Sequence, residues 1–184
     1  MVGLRKASAY SKRTVVPYTR RSKRKGSNFI KAVPAQSIVK FTMGQEALFN
    51  KGNFPFSLTL VADEKAQIRA NALEACRQYI NKKLDTMMLG QYVFKVLPYP
   101  HHVQRENKML TGAGADRMQT GMSLSFGKAV GRAAIVNHGT RIFFMAVANK
   151  KAEDIARHLL HEIKSKLPCR TKIVSGGVNV IKQA

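Results

Sequence analysis

The residues with the most chemical potential lie between His101 and Gly121, in the run HHVQRENKMLTGAGADRMQTG. This run has neither the period of a helix nor that of a strand. Gly112, Gly114 and Gly121 each oppose a helix. Unstructured connections of about 20 residues inside a compact domain are mostly functional or disordered. Arg105, Lys108 and Arg117 stand there beside Glu106 and Asp116, and Lys128 and Arg132 follow with Gly127 and Gly131. Glycine lets the main chain come close to a ligand and offers its N–H groups, and the cations supply opposite charge. Phosphate is the ligand that suits both. The plain alternative is a surface loop that binds nothing, and the strongly basic chain weighs against it.

Enzyme-like patterns are weak by comparison. His101 and His102 lie near Glu106, a possible acid–base set. Adjacent histidines on a basic segment read better as phosphate or ribose contacts, or as plain solvent-facing residues. Gly112-Ala113-Gly114 begins like a dinucleotide fingerprint, but position 117 holds Arg117 and no strand directly precedes it. No GxxxxGK[ST] occurs. Asp154, His158 and His161 fall at i, i+4 and i+7 of an expected helix. Their His-x-x-His-Glu spacing is not a zincin motif, so they read as a solvated helix face and no metal site is expected. Cys76 and Cys169 stand 93 positions apart without a CxxC. They read as core thiols of a reducing compartment, not as a disulfide framework or zinc ligands. Met109, Met118 and Met122 read as irregular packing. No catalytic residue and no cofactor are expected.

The charge around this segment is extreme and uneven. The 184 residues carry 32 Lys and Arg against 10 Asp and Glu, a net of +22. Eleven of those cations precede Glu46, the first carboxylate, so residues 1–45 carry half of the net charge in a quarter of the length. Arg20-Arg21-Ser22-Lys23-Arg24-Lys25 is the densest cluster. Such a segment repels itself and is expected to order only against a polyanion. Tyr10, Tyr18 and Phe29 punctuate it, either to pin it to a folded body or to stack on bases. Nucleic acid is the partner that a basic domain of this kind suggests first. The longest apolar run, Ile142 to Ala148, has seven residues, far short of a membrane span. The basic beginning has no apolar stretch after it and is not expected to be a secretory signal.

The elements that hold the segment follow from hydrophobic period. Ser37–Met43 reads as a strand with Val39, Phe41 and Met43 inward, and 56–61 as a second, with a turn across Asn50–Pro55. Asp63 is expected to cap a helix from about 64 to 84, whose stripe runs through Ala66, Ile68, Leu73, Cys76 and Ile80. Residues 91–97 read as a strand stopped by Pro98 and Pro100. Residues 133–137 and 141–148 read as a hairpin around His138-Gly139-Thr140. Asn149 should cap a helix from 150 to 167, stopped by Pro168. Residues 171–174 and 178–181 read as short strands around a turn at Ser175-Gly176-Gly177. The expectation is an α+β fold, a two-layer sandwich of mostly antiparallel sheet with two helices. A basic extension (1–34) would precede one domain (35–184) that contains the long loop 101–121.

Several runs resemble one family closely. They are Arg105-Glu106-Asn107-Lys108-Met109-Leu110, then Gly114 to Met122 (GADRMQTGM), then Phe126-Gly127-Lys128-Ala129-Val130-Gly131. Pro17-Tyr18-Thr19-Arg20-Arg21, Val33-Pro34, Gln67 to Ala75 (QIRANALEA) and Leu167-Pro168-Cys169 fit as well. The chain resembles the universal large-subunit ribosomal protein family, called L-sixteen in bacteria and L-ten-e in archaea and eukaryotes. The likeness spans about residues 10 to 172 and is nearer the archaeal and eukaryotic branch.

The resemblance implies a non-enzymatic, cytoplasmic component of the large ribosomal subunit. It implies a place near 5S rRNA and the tRNA A-site cleft, with the loop directed towards the peptidyl-transferase centre and tRNA. Expected rRNA contacts are Arg5, Lys6, Lys12, Arg13, Tyr18, Arg20, Arg21, Lys23, Arg24, Lys25, Lys31, His101, His102, Lys128 and Arg132. The loop residues expected to face tRNA are Arg105, Asn107, Lys108, Met109, Gly112, Gly114, Asp116, Arg117 and Gln119. Implied partners are large-subunit rRNA, 5S rRNA, tRNA and neighbouring ribosomal proteins, with no membrane and no small-molecule substrate. A free-standing RNA chaperone or regulator would share the charge without needing this loop. A small RNA-modifying enzyme would need a catalytic constellation, and the sequence offers none.

Overall fold

The computed structural model describes residues 8–11, 33–106 and 128–177. In chain order the elements are α1 (Ser8–Ser11), β1 (Thr42–Gly44), α2 (Glu46–Asn50), β2 (Phe56–Ala62), β3 (Ala66–Arg69) and α3 (Ala70–Met87). Then come β4 (Tyr92–Val96), β5 (His102–Glu106), β6 (Lys128–Val136), β7 (Arg141–Val147), α4 (Lys150–Glu162), a 3-10 turn (Ile163–Lys166) and β8 (Thr171–Gly177). One sheet has five strands in the order β1-β4-β7-β2-β8, and a second has three in the order β3-β6-β5. Every pairing is antiparallel. This is the expected α+β architecture.

The apolar run noted in the sequence becomes β7, the middle strand of the large sheet. This strand is covered on both faces, which is why it reads as continuous apolar residues instead of the alternation usual in an antiparallel sheet. Phe143, Met145 and Val147 join the main core with Leu58, Phe94, Leu73, Ile80, Leu84, Leu159 and Leu160. Phe144 and Ala146 join Phe54 and Val93 in a smaller cluster on which Leu48 and Phe49 of α2 pack. Cys76 is fully buried on the α3 stripe, as its helical spacing implied.

Seven local expectations need correction. The helix expected from residue 64 begins only at Ala70, because Ala66–Arg69 pair with Ala133–Val136 as β3. Ala66, Ile68, Ala70 and Ala72 satisfy period 2 as well as a helix stripe, and the β6 ladder decides between them. Asp63 therefore caps nothing and instead faces Lys172 at 2.8 Å and His138 at 3.3 Å. The first strand is confined to Thr42–Gly44, and Val39 is 74% exposed while Ile38 is buried.

The hairpin expected around Gly139 is not one. The end of β2 intervenes, with the Ala62 N–H donating to the Thr140 carbonyl and the Gly139 N–H to the Ala62 carbonyl, each at 2.9 Å. β6 is thereby sent to the small sheet and β7 to the large one. The second helix ends at Glu162 and tightens into the 3-10 turn, although Ile163 and Leu167 still reach the core. Asn149 sits at the N-cap in extended conformation, but its amide donates to Gln91 at 3.5 Å and makes no cap. Finally, Ser175 to Gly177 form no turn, since they continue β8 against Phe56 to Leu58. Residues 178–181 lie outside the described residues.

Candidate nucleic-acid interface

The segment singled out in the sequence is mounted on a hairpin. His102–Glu106 and Lys128–Val136 pair in register from His102↔Ala133 to Glu106↔Lys128, with a bulge between Gln104 and Arg105. Of the loop expected over 101–121, residues 102–106 are instead strand β5. Val103 and Gln104 are buried there and pair with Arg132 and Gly131 of β6. Gln104 donates its amide to Gln67 of β3 at 3.2 Å, so the hairpin is held to the neighbouring strand by a buried polar bond. The pairing of Glu106 with Lys128 brings together the two ends of the stretch 107–127.

Around this hairpin stand the described members of the expected set. His101 is exposed, while His102 and Arg105 are half-buried on β5. Burial, with Arg105 beside it, holds the His102 imidazole below its ordinary range. At neutral pH it is therefore a hydrogen-bonding group more than a charge. Arg132, opposite Val103, is tied down: its Nε donates to the Pro34 carbonyl at 2.7 Å and its Nη1 to the Tyr99 hydroxyl at 3.3 Å. Lys128 is placed by its backbone at the far end of β6. Arg5, Lys6, Lys12, Arg13, Tyr18, Arg20, Arg21, Lys23, Arg24, Lys25 and Lys31 lie outside the described residues, as do Asn107, Lys108, Met109, Gly112, Gly114, Asp116, Arg117 and Gln119.

Sequence reasoning missed several groups that the fold gathers here. The Arg69 guanidinium lies 4.8 Å from the Tyr10 ring, so one aromatic of the basic extension does rest on the body. Tyr10, Arg69, Asn71, Gln104, Glu106 and Arg132 line one open cleft at the start of α3. Phe41, Tyr99 and His101 form a row of rings, with centroids 5.4 Å apart for the first pair and 4.6 Å for the second. The signal for Tyr99 was available: an aromatic held between two prolines is unlikely to be a core residue. Lys166 and Lys83 stand over the Tyr79 ring at 4.7 and 5.7 Å, and Lys166 lines a second cleft that also takes in Arg69 and Asn71. His158 of α4 faces Glu162 at 3.4 Å, as a solvated helix face would allow.

A cation-rich hairpin on a small α+β body is a general design, and similarity decides what it belongs to. The model of the family described as ribosomal protein L16p/L10e matches residues 14–174. The chain belongs to this family. It is 43% identical over 172 residues to the large ribosomal subunit protein uL16 of Staphylothermus marinus, covering 93% of this chain and 92% of that one. It is 40% identical to the protein of the same name from Sulfolobus acidocaldarius, covering 96% of each chain. For Archaeoglobus fulgidus the identity is 42% over 92% of each. The archaeal-type form inferred from the loop motifs is thus the form of these relatives. Membership makes the chain a structural component of the large ribosomal subunit in the cytoplasm, and not an enzyme.

Proposed function

We propose that the chain binds large-subunit rRNA beside 5S rRNA and the tRNA A-site cleft, and that it holds residues 107–127 towards tRNA and the peptidyl-transferase centre. The supporting observation is the stem: Glu106 and Lys128 are paired, so whatever lies between them is presented from one fixed place on a rigid sheet. Residues 1–34 act as a basic extension that offsets phosphate repulsion between RNA segments. Residues 35–184 act as the single domain that positions the loop. Lys108 and Arg117 are the loop's phosphate-binding cations, and Arg105 acts from the stem. The glycines at 112 and 114 let the main chain approach RNA.

The first test is sedimentation of cell lysate in moderate salt and again with a magnesium chelator. Co-migration with the large subunit in both supports an integral rRNA-bound protein. Recovery at the top of the gradient would turn the reading towards a free RNA chaperone. The second test replaces Lys108 and Arg117 with Ala. Incorporation should persist while tRNA handling or subunit joining falls. Normal translation by such ribosomes would remove the functional role of the loop.

A further inference from the structure

Phe41 packs against the main core at the inner end of the row, while Tyr99 and His101 carry the row outward from it. Tyr99 remains 42% exposed and His101 is exposed. An aromatic ring left in water forgoes much of the gain that its burial would bring. These rings are also unusually well fixed. Pro98 and Pro100 flank Tyr99 and lock their own φ angles. The His101 N–H donates back to the Tyr99 carbonyl at 3.0 Å, a tight turn that sets the two rings side by side. Arg132 holds the Tyr99 hydroxyl from β6, and Phe41 stacks on Tyr99 at an interplanar angle of 22°.

From this geometry we infer that the row is a stacking platform for one unpaired RNA base, with His101 as its outer ring. The inference rests on the RNA-binding reading and names a site for it. A base needs a flat apolar face and a cation within reach of its phosphate. Exposed Lys40 precedes Phe41 in the chain, and Arg132 is bonded to Tyr99, so both kinds of group converge here. The rings are already ordered, so little side-chain freedom is lost when a base arrives. The charge balance of the chain favours a nucleotide over an apolar protein side chain as the occupant.

The chain contains no tryptophan, which makes a clean test available. His101→Trp installs a single fluorophore at the outer ring. A twelve-nucleotide oligo(rA) should quench its emission, and an abasic oligomer of the same length should not. In matched titrations at moderate salt, His101→Ala should weaken oligo(rA) binding about tenfold, the usual size of one lost base stack. Binding of the abasic oligomer should be unchanged, and His101→Tyr should restore oligo(rA) binding. If oligo(rA) and the abasic oligomer bind equally to the wild type and His101→Ala changes neither, the platform is refuted while RNA binding stands. If neither oligomer binds the wild type, the RNA-binding reading itself fails. A photo-crosslinking residue at 101 in assembled subunits should capture RNA. Capture of a neighbouring ribosomal protein instead would overturn the inference.

Discussion

Gly44 should be the costliest of the described positive-φ glycines to replace, and the structure says by how much. Among the described residues four glycines have positive φ: Gly44 at +88°, Gly52 at +85°, Gly90 at +77° and Gly139 at +81°. Alanine in this region costs about 1–2 kcal/mol from its own backbone. At Gly52, Gly90 and Gly139 a Cβ would meet nothing within 4 Å, so that strain is the whole cost. At Gly44 a Cβ would fall 2.2 Å from the Tyr92 carbonyl oxygen and 3.0 Å from its carbon. Both are backbone atoms of β4 and cannot swing aside. β1 must then lift away, loosening its pairing with Val93 and the Gln45 N–H bond to the Tyr92 carbonyl, now 3.0 Å. At about 1 kcal/mol for each hydrogen bond disturbed, the total comes to roughly 3–5 kcal/mol. Thermal unfolding of the full chain, followed by circular dichroism at moderate salt, measures all four Ala variants alike. Domains of this size lose about 2–4 °C of Tm per kcal/mol, so Gly44→Ala should stand apart by several degrees. Equal losses across the four variants would refute the reasoning from the Tyr92 contact.

Three further outcomes are expected. Glu74 accepts hydrogen bonds from Arg77, the Nε one at 2.7 Å, which hold its carboxyl below the ordinary range. Its contribution to stability is therefore present above the unfolded carboxylate pKa and lost as pH falls through the folded one. Glu74→Gln should flatten the acid limb of a stability–pH curve, and an unchanged limb would count against the pair. Burial pushes the Cys76 thiol up to about 12 and Cys169 to about 11, so thiol alkylation should proceed only on unfolding. Rapid modification of the native protein would contradict the packing. Deleting residues 1–34 removes ten cations. The slope of log K against log salt for RNA should become shallower by up to about 7–9 if all ten meet phosphates. A slope that stays the same would mean that the extension does not touch RNA.

The sequence was most readable where one force acted alone. β2 and β4 alternate or run apolar between clear breakers, and they came out within a residue or two of their bounds. Cys76, Leu73 and Ile80 announced the α3 stripe. It was least readable where two patterns fitted. Ala66, Ile68 and Ala70 suit a strand or a helix, and the choice depends on Ala133–Val136, more than sixty positions away. The apparent hairpin at Gly139 had good local chemistry, but the diversion of its arms depends on Ala62. The site was partly legible. Composition pointed to the segment from His101 and its cations but read it as loop throughout, so the β5–β6 stem was not foreseen, while the family motifs pointed to residues 105–122. Arg69 and Phe41 were silent, because an arginine before a helix and an aromatic in a short edge segment carry no mark of what lies opposite.

The placement of β8 also governs when the protein can finish folding. Ser57 of β2 bonds the carbonyl of Gly176, 119 positions later. Until β7 is synthesised both edges of β2 are unpaired, and until β8 follows one still is, which is a template for unwanted pairing. At about 5–20 residues per second that interval is roughly 6–24 s. During it the basic first 45 residues emerge ahead of β8 and can attract any nearby polyanion. The newborn chain thus passes through a stage in which its most adhesive part is exposed while its sheet is still incomplete. Its exposure to mispairing is set by chain order, not by final stability.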